Sequence, residues 1–249
     1  MPPPPPRRIA HAGGGLRDPL TIYNNSERAI LSSLGEGYEW VELDFRWGGG
    51  ELLTDAGRSA VLESEATGYY DACDDGSAVT GDPSLAVPLT LPALGKLLSS
   101  NPTLSIVTDV KNCDAPGENV RALEEIKRCL PEHFGGRFIA QIYQPEQYEL
   151  VKALGYTHVI FTLYLFPGTD DAVLESLSSM PSLVCVTMPI ARAAGGLGVR
   201  CRDAGHHVMA HTVNDVGELR RLREESGVAD VYSDFLRPGV SSLDLASMA

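Results

Sequence analysis

The strongest constraint on this chain is an alternation. Short runs rich in Val, Ile, Leu and Phe recur at Arg8–His11, Glu39–Phe45, Leu104–Val110, Arg137–Ile142, His158–Leu163, Leu183–Met188, His207–Thr212 and Ala229–Tyr232. Runs this short and apolar suit strands buried on both faces, as in a parallel sheet. Helix-like stretches separate them at Ser26–Leu34, Leu91–Ser99, Glu118–Leu130, Pro145–Leu154, Asp170–Ser179, Ala191–Ala204 and Val216–Ser226. Boundary chemistry agrees with these limits. Asn214-Asp215 and Thr169-Asp170-Asp171 stand at helix starts, while Gly155 and Gly205 stand just past helix ends. Eight strands with seven intervening helices predict an α/β fold, a single (β/α)8 TIM barrel, for which about 250 residues is typical. A doubly wound open sheet is the competing architecture.

Three segments fall outside the alternation. Met1–Pro6 is a proline run without an apolar core, expected to form a stiff disordered leader rather than a targeting peptide. The barrel domain is expected over 7–238, followed by a tail over 239–249. Within it, 46–88 is glycine-rich and then acidic, a long insertion after the second strand. Glu63, Glu65, Asp71, Asp74, Asp75 and Asp82 there lack EF-hand spacing, so a solvated lid with Tyr69 and Tyr70 at its centre is expected instead of a calcium loop.

Charge narrows the partners. Lys plus Arg number 20 against 33 Asp plus Glu, a formal net charge of -13, which argues against a basic nucleic-acid face and a polybasic membrane anchor. No apolar run approaches the roughly 20 residues of a membrane span. Cys73, Cys113, Cys129, Cys185 and Cys201 are odd in number and scattered, which suits reduced thiols and a cytoplasmic protein.

Barrel chemistry sits at the carboxyl ends of the strands, so the polar residues there are the candidates. The first strand ends in His11, followed by Ala12-Gly13-Gly14-Gly15. In Val41-Glu42-Leu43-Asp44-Phe45 the alternation of side chains puts Glu42 and Asp44 on one face. Two interior carboxylates are costly unless a cation or an arginine such as Arg46 neutralises them. Oxygen ligands favour one divalent cation, Mg²⁺ or Ca²⁺. Asp109 offers a third carboxylate, and Lys111 a cation for an anionic group or a partner for its neighbour's charge. Gln141, Tyr143, Thr162, Tyr164, His211, Thr212 and Asn214 add hydrogen-bonding groups at later strand ends. His158, His206 and His207 stand at strand starts and are expected to be structural.

Taken in order, Ile9-Ala10-His11-Ala12-Gly13-Gly14, Asn24-Asn25-Ser26-Glu27, Glu42-Leu43-Asp44 and Asp109-Val110-Lys111 resemble the glycerophosphodiester phosphodiesterase family. So do Gln141-Ile142-Tyr143-Gln144-Pro145, His211-Thr212-Val213-Asn214 and Tyr232-Ser233-Asp234-Phe235-Leu236. The resemblance runs from Arg8 to Pro238 and implies a (β/α)8 barrel that cleaves a small phosphodiester. It implies that Glu42, Asp44 and Asp109 hold one Mg²⁺ or Ca²⁺, that Lys111 stabilises phosphoryl charge, and that His11 is one of two acid–base histidines. It further implies a substrate site at Asn25, Gln141, Tyr143 and Tyr164, and attack by a neighbouring hydroxyl to give a cyclic phosphate.

This chain departs from the family pattern at three places. Ala12 replaces an arginine, Asn24 replaces an acid, and Thr54 stands where the second histidine belongs. A threonine hydroxyl cannot act as a general acid near neutral pH. His211 is therefore the candidate to reach the site in its place, its other reading being a donor to the loop around Asn214. The expected function is a slow or altered phosphodiesterase; the alternative is a non-catalytic relative that binds a phospho-ligand or a protein.

Overall fold

The computed structural model describes residues 7–17, 20–22, 25–46, 89, 91–111, 117–164 and 166–239. In chain order these form β1 (Ile9–Ala10), β2 (Leu16–Arg17), β3 (Leu20–Thr21), α1 (Glu27–Gly35), β4 (Trp40–Arg46), α2 (Leu91–Ser100), β5 (Ser105–Lys111) and α3 (Glu118–Cys129). There follow β6 (Phe138–Ile142), α4 (Gln147–Ala153), β7 (His158–Thr162), α5 (Asp170–Ser178), β8 (Leu183–Pro189), α6 (Ile190–Arg192), α7 (Gly198–Asp203), β9 (Val208–His211), α8 (Val216–Glu225) and β10 (Asp230–Ser233). The sheet closes on itself in the order β1-β10-β9-β8-β7-β6-β5-β4, all neighbours parallel. The open-sheet alternative is thereby excluded.

Each barrel strand has two faces with different neighbours. Outward residues such as Val41, Leu43, Phe45, Ile106, Val110, Phe138, Ile142 and Phe161 join the helices in one large apolar cluster. Inward residues Ile9, Trp40, Val107, Ile139, Ile160, Val184, Cys185, Met209 and Tyr232 fill the barrel centre. The interior is thus a packed core, and beyond it, at the carboxyl ends of β4, β5 and β6, the inward face carries the polar side chains Glu42, Asp44, Asp109, Lys111 and Gln141. The shortest strand closes the ring: Ile9 pairs with both Tyr232 of β10 and Trp40 of β4. Beneath that seam the buried Arg8 guanidinium donates to Asp230 at 2.9 Å and to the Leu236 and Arg237 carbonyls.

Helix starts follow local chemistry. Ser26, Thr169 and Asp215 cap α1, α5 and α8, their side chains accepting from Ala29, Ala172 and Glu218 amides. An Asp215→Ala substitution is expected to cost about 1 kcal/mol in a denaturant titration, because it orphans the Glu218 amide. The expected Ala191–Ala204 helix is broken by a wide turn at Ala193–Leu197, with Gly196 at φ 104°. The β2–β3 hairpin lies outside the alternation and was not expected from sequence.

Cys129, Cys185 and Cys201 are free thiols. No helix among the described residues is long and apolar enough to cross a membrane. The leader, Asn24, the tail beyond residue 239, and the insertion from residue 47 through Pro88 with Thr54, Tyr69 and Tyr70 lie outside the described residues.

Candidate active site

Register brings the acids together. Parallel pairing of β4 with β5 sets Asp44 opposite Asp109 and Glu42 opposite Val107, so the inward face of each strand ends in carboxylates. Glu42, Asp44 and Asp109 each offer an oxygen within 4.8 Å of the others. Lys111, two residues past Asp109 on the same face, places its Nζ 3.1 Å from Asp44 and 2.5 Å from Asp109. One ammonium therefore faces three carboxylates. Burial and the charge of Asp44 push the Glu42 carboxyl well above the usual range. Burial opposes ionisation of Asp109 too, yet the charge and hydrogen bond of Lys111 hold its pKa below normal. Burial works against the charge on Lys111, but Asp109, Asp44 and Glu42 together raise its pKa well above that of a free lysine.

Each acid is oriented by a neighbour. The Ala12 amide donates to Glu42 Oε2 at 2.7 Å. Ala12 adopts φ 45°, ψ 45°, a left-handed conformation an alanine rarely takes, within the tight turn His11–Gly13. The glycines that follow make this turn possible: a Cβ on Gly14 would meet Ser33 Oγ at 2.0 Å. Asn25 grips Asp44 twice, its Nδ2 donating to Oδ2 at 2.9 Å and its Oδ1 accepting from the Asp44 amide at 3.0 Å. The Tyr143 hydroxyl donates to Asp109. All of the donors are oxygen, the set a hard divalent cation requires, and their negative charge exceeds what Lys111 neutralises. The residues present fit such an ion.

His11 stands beside this cluster. Its Nδ1 lies 3.0 Å from Asp234 Oδ1. Asp234 is itself fixed by Asn214, whose Nδ2 donates to Oδ2 at 2.7 Å and whose Oδ1 accepts from the Asp234 amide at 2.8 Å. Burial alone would lower the imidazole pKa; the charge and hydrogen bond of Asp234, with Glu42 and Asp44, outweigh it and raise the value to about 9. The Asp234 contact thus engages Nδ1 and favours the charged imidazolium at neutral pH.

His211 is the opposite case. It ends β9, and burial, reinforced by the positive charges of His11 and Lys111, brings its pKa down to about 4. Its Nδ1 lies 2.9 Å from Thr187 Oγ1, while Asn214 turns to Asp234 and Ser233 instead. Tyr164 lies at the rim, 55% exposed, its ring 6.1 Å from that of His211. Gln141 is buried, its Oε1 accepting from the Tyr232 hydroxyl at 3.0 Å. The structure therefore places His11, Asn25, Glu42, Asp44, Asp109, Lys111, Tyr143 and His211 at one mouth of the barrel. The Arg46 side chain lies outside the described residues, and the charge partner observed for Asp44 is Lys111. Sequence reasoning assigned no role to Asp234. Its position directly after the last strand, in line with the other polar strand ends, was the signal that could have found it.

No protein-family model and no curated protein matches the chain. Solved structures do. An Oleispira antarctica phosphodiesterase in complex with the product sn-glycerol-3-phosphate matches at a TM-score of 0.62 and 17% identity, over 98% of this chain and 97% of the other. A glycerophosphodiester phosphodiesterase from Thermotoga maritima matches at 0.55 and 16%, covering 91% and 93%. Another, from Agrobacterium tumefaciens, matches at 0.54 and 15%, covering 94% and 96%. At these identities the likeness shows a shared fold, the (β/α)8 barrel; function has to be argued from the side chains.

Proposed function

We propose that this chain is a glycerophosphodiester phosphodiesterase, cleaving a small phosphodiester with one Mg²⁺ or Ca²⁺ held by Glu42, Asp44 and Asp109. The observation that carries this reading is the convergence, at one barrel mouth, of three carboxylates, one lysine and one imidazolium locked onto an aspartate. The bound cation would supply Lewis acidity and charge for the phosphoryl oxygens. Lys111 adds a fixed positive charge to the same oxygens. His11 carries a proton for the leaving alcohol, and Asp234 keeps its ring oriented as that proton departs. Asn25 and Tyr143 hold Asp44 and Asp109 in place at the edge of the substrate site, while Tyr164 lines its open side and Gln141 its floor. His211 is neutral, so the proton for the leaving group comes from His11. The free buried thiols Cys185 and Cys201 and the net charge of -13 support a cytoplasmic enzyme of a small-molecule substrate rather than of nucleic acid.

Purified protein is expected to turn over a glycerophosphodiester or an activated aryl phosphodiester in Mg²⁺ or Ca²⁺, and to stop when a chelator is added. Phosphorus NMR of the products separates a cyclic phosphate from full hydrolysis. Inactivity toward a broad phosphodiester panel in both metals would sink the reading. Metal binding has a readout of its own: either ion should raise the melting temperature of the wild type, and Asp44→Asn should abolish most of that rise.

The competing reading, a non-catalytic barrel that binds a phospho-ligand, is favoured by Thr54 at the position of the second histidine. It predicts that glycerol phosphate or a phosphodiester raises the melting temperature and is recovered unchanged.

A further inference from the structure

The loop after β9 reaches across to the end of β10. Its backbone is pinned on both sides of residue 214: the Val213 amide donates to the Tyr232 carbonyl at 2.9 Å, and Asp215 caps α8. Asn214 itself is exposed, so apolar packing does not hold its side chain. It nonetheless makes three hydrogen bonds. Its Oδ1 accepts from the Asp234 amide at 2.8 Å and from the Ser233 hydroxyl at 3.0 Å, and its Nδ2 donates to Asp234 Oδ2 at 2.7 Å. A backbone amide can only donate and a carboxylate only accept, so one orientation of the Asn214 amide group satisfies both ends.

What these bonds fix is the face that Asp234 turns to the site. Its backbone is held from two directions, the amide by Asn214 and the carbonyl by the Gly15 amide at 2.9 Å. Rotation of the carboxylate is the freedom that remains, and that torsion is intrinsically broad. With Oδ2 on Asn214, Oδ1 is left for His11, whose Nδ1 lies 3.0 Å away. Partners on opposite oxygens fix the carboxylate plane, and with it the direction in which the imidazole is held. Water admitted in place of Asn214 would bond Oδ2 without fixing that plane.

We infer that Asn214 is the positioning residue of the Asp234–His11 pair: from the loop after β9 it sets the Asp234 carboxylate so that Oδ1 meets the imidazole in its working geometry. Asn214 touches neither the acidic cluster nor the reacting atoms; it acts through Asp234. The inference rests on the phosphodiesterase reading only for the task it gives His11, protonation of the leaving alcohol. The coupling of the three side chains stands without that reading.

One readout needs no substrate. In the wild type the His11 ring proton that meets buried Asp234 should give a slowly exchanging low-field proton signal, assigned by its loss in His11→Ala. In Asn214→Ala the signal should broaden or move, with little change in melting temperature because residue 214 is exposed. No such signal in the wild type, or the same signal in the variant, overturns the inference. Turnover gives the second readout. Asn214→Ala should lower kcat on a glycerophosphodiester by about tenfold to a hundredfold, the scale of a misplacement of about 1 Å, and should impair an aryl phosphodiester much less. Equal losses on the two substrates, or a loss below about threefold on the glycerophosphodiester, overturn it, since a merely structural role does not distinguish leaving groups. In a His11→Ala background the further change Asn214→Ala should alter kcat by less than about twofold; additive losses overturn it. Asn214→Asp, assayed at about pH 8, keeps the shape and the acceptor but sets a second carboxylate against Asp234 Oδ2. It should be impaired at least as much as Asn214→Ala, and wild-type turnover overturns the inference. A wild type that turns over nothing, while its signal responds to Asn214→Ala, removes the phosphodiesterase reading and leaves this coupling standing. Normal turnover with an unresponsive signal does the reverse.

Discussion

Replacing His11 with alanine is expected to lower kcat on a glycerophosphodiester by about 10²- to 10⁴-fold, or roughly 3–5 kcal/mol of barrier, with a smaller change in KM. The size follows from its role. At neutral pH this imidazole is charged, because the pairing with Asp234 outweighs the effect of burial, and a proton donor is needed by an alkoxide leaving group. Asp234 keeps its second oxygen on Asn214 after the truncation, so the fold should persist, which the melting temperature and its rise with Mg²⁺ would check. Substrate chemistry sharpens the test. An aryl phosphodiester has a leaving group that needs no acid, so His11→Ala should impair it much less than the glycerol diester. Equal losses on the two substrates would show that His11 does something other than protonate the leaving group.

The second large effect lies at the opposite end of the barrel and concerns stability. Arg8→Ala is expected to destabilise the fold by about 3 kcal/mol, near the low end for breaking a buried ion pair, and to lower the melting temperature by roughly 6–12 °C. Arg8 is almost wholly buried and spans the seam where β1 meets β10, and its loss frees Asp230 together with the carbonyls of Leu236 and Arg237. The low end applies because Arg223 remains 3.4 Å from Asp230. Because β1 pairs through only Ile9 and Ala10, little else holds that seam closed. Activity measured well below the melting point should be nearly unchanged, since Arg8 lies beyond the apolar plug from the site. A loss of less than about 1 kcal/mol would mean that the closure does not depend on this arginine.

Much of the architecture was legible because it rests on short-range regularities. The eight expected strands correspond to β1 and β4–β10, each within a residue or two of its expected limits, since an apolar run bounded by turn residues carries its own boundaries. Where the pattern was silent, so was the reading. The β2–β3 hairpin has two residues per strand, too few for any periodicity, and the wide turn at Ala193–Leu197 interrupts a stretch that otherwise reads as continuous helix. For the site, alternation alone placed Glu42 with Asp44 and Asp109 with Lys111 on single faces. That these two faces meet is a matter of register, which sets Asp44 against Asp109.

What the amino-acid sequence determined by itself was therefore the set of strands and helices and the stock of charged groups at the strand ends, because periodicity and side-chain alternation are local. Only the tertiary structure decided which of those groups work together. Asp234 charges His11, while His11 and Lys111 help keep His211 neutral. Charge state depends on distances between residues up to 223 positions apart, and those distances exist only once the sheet has closed.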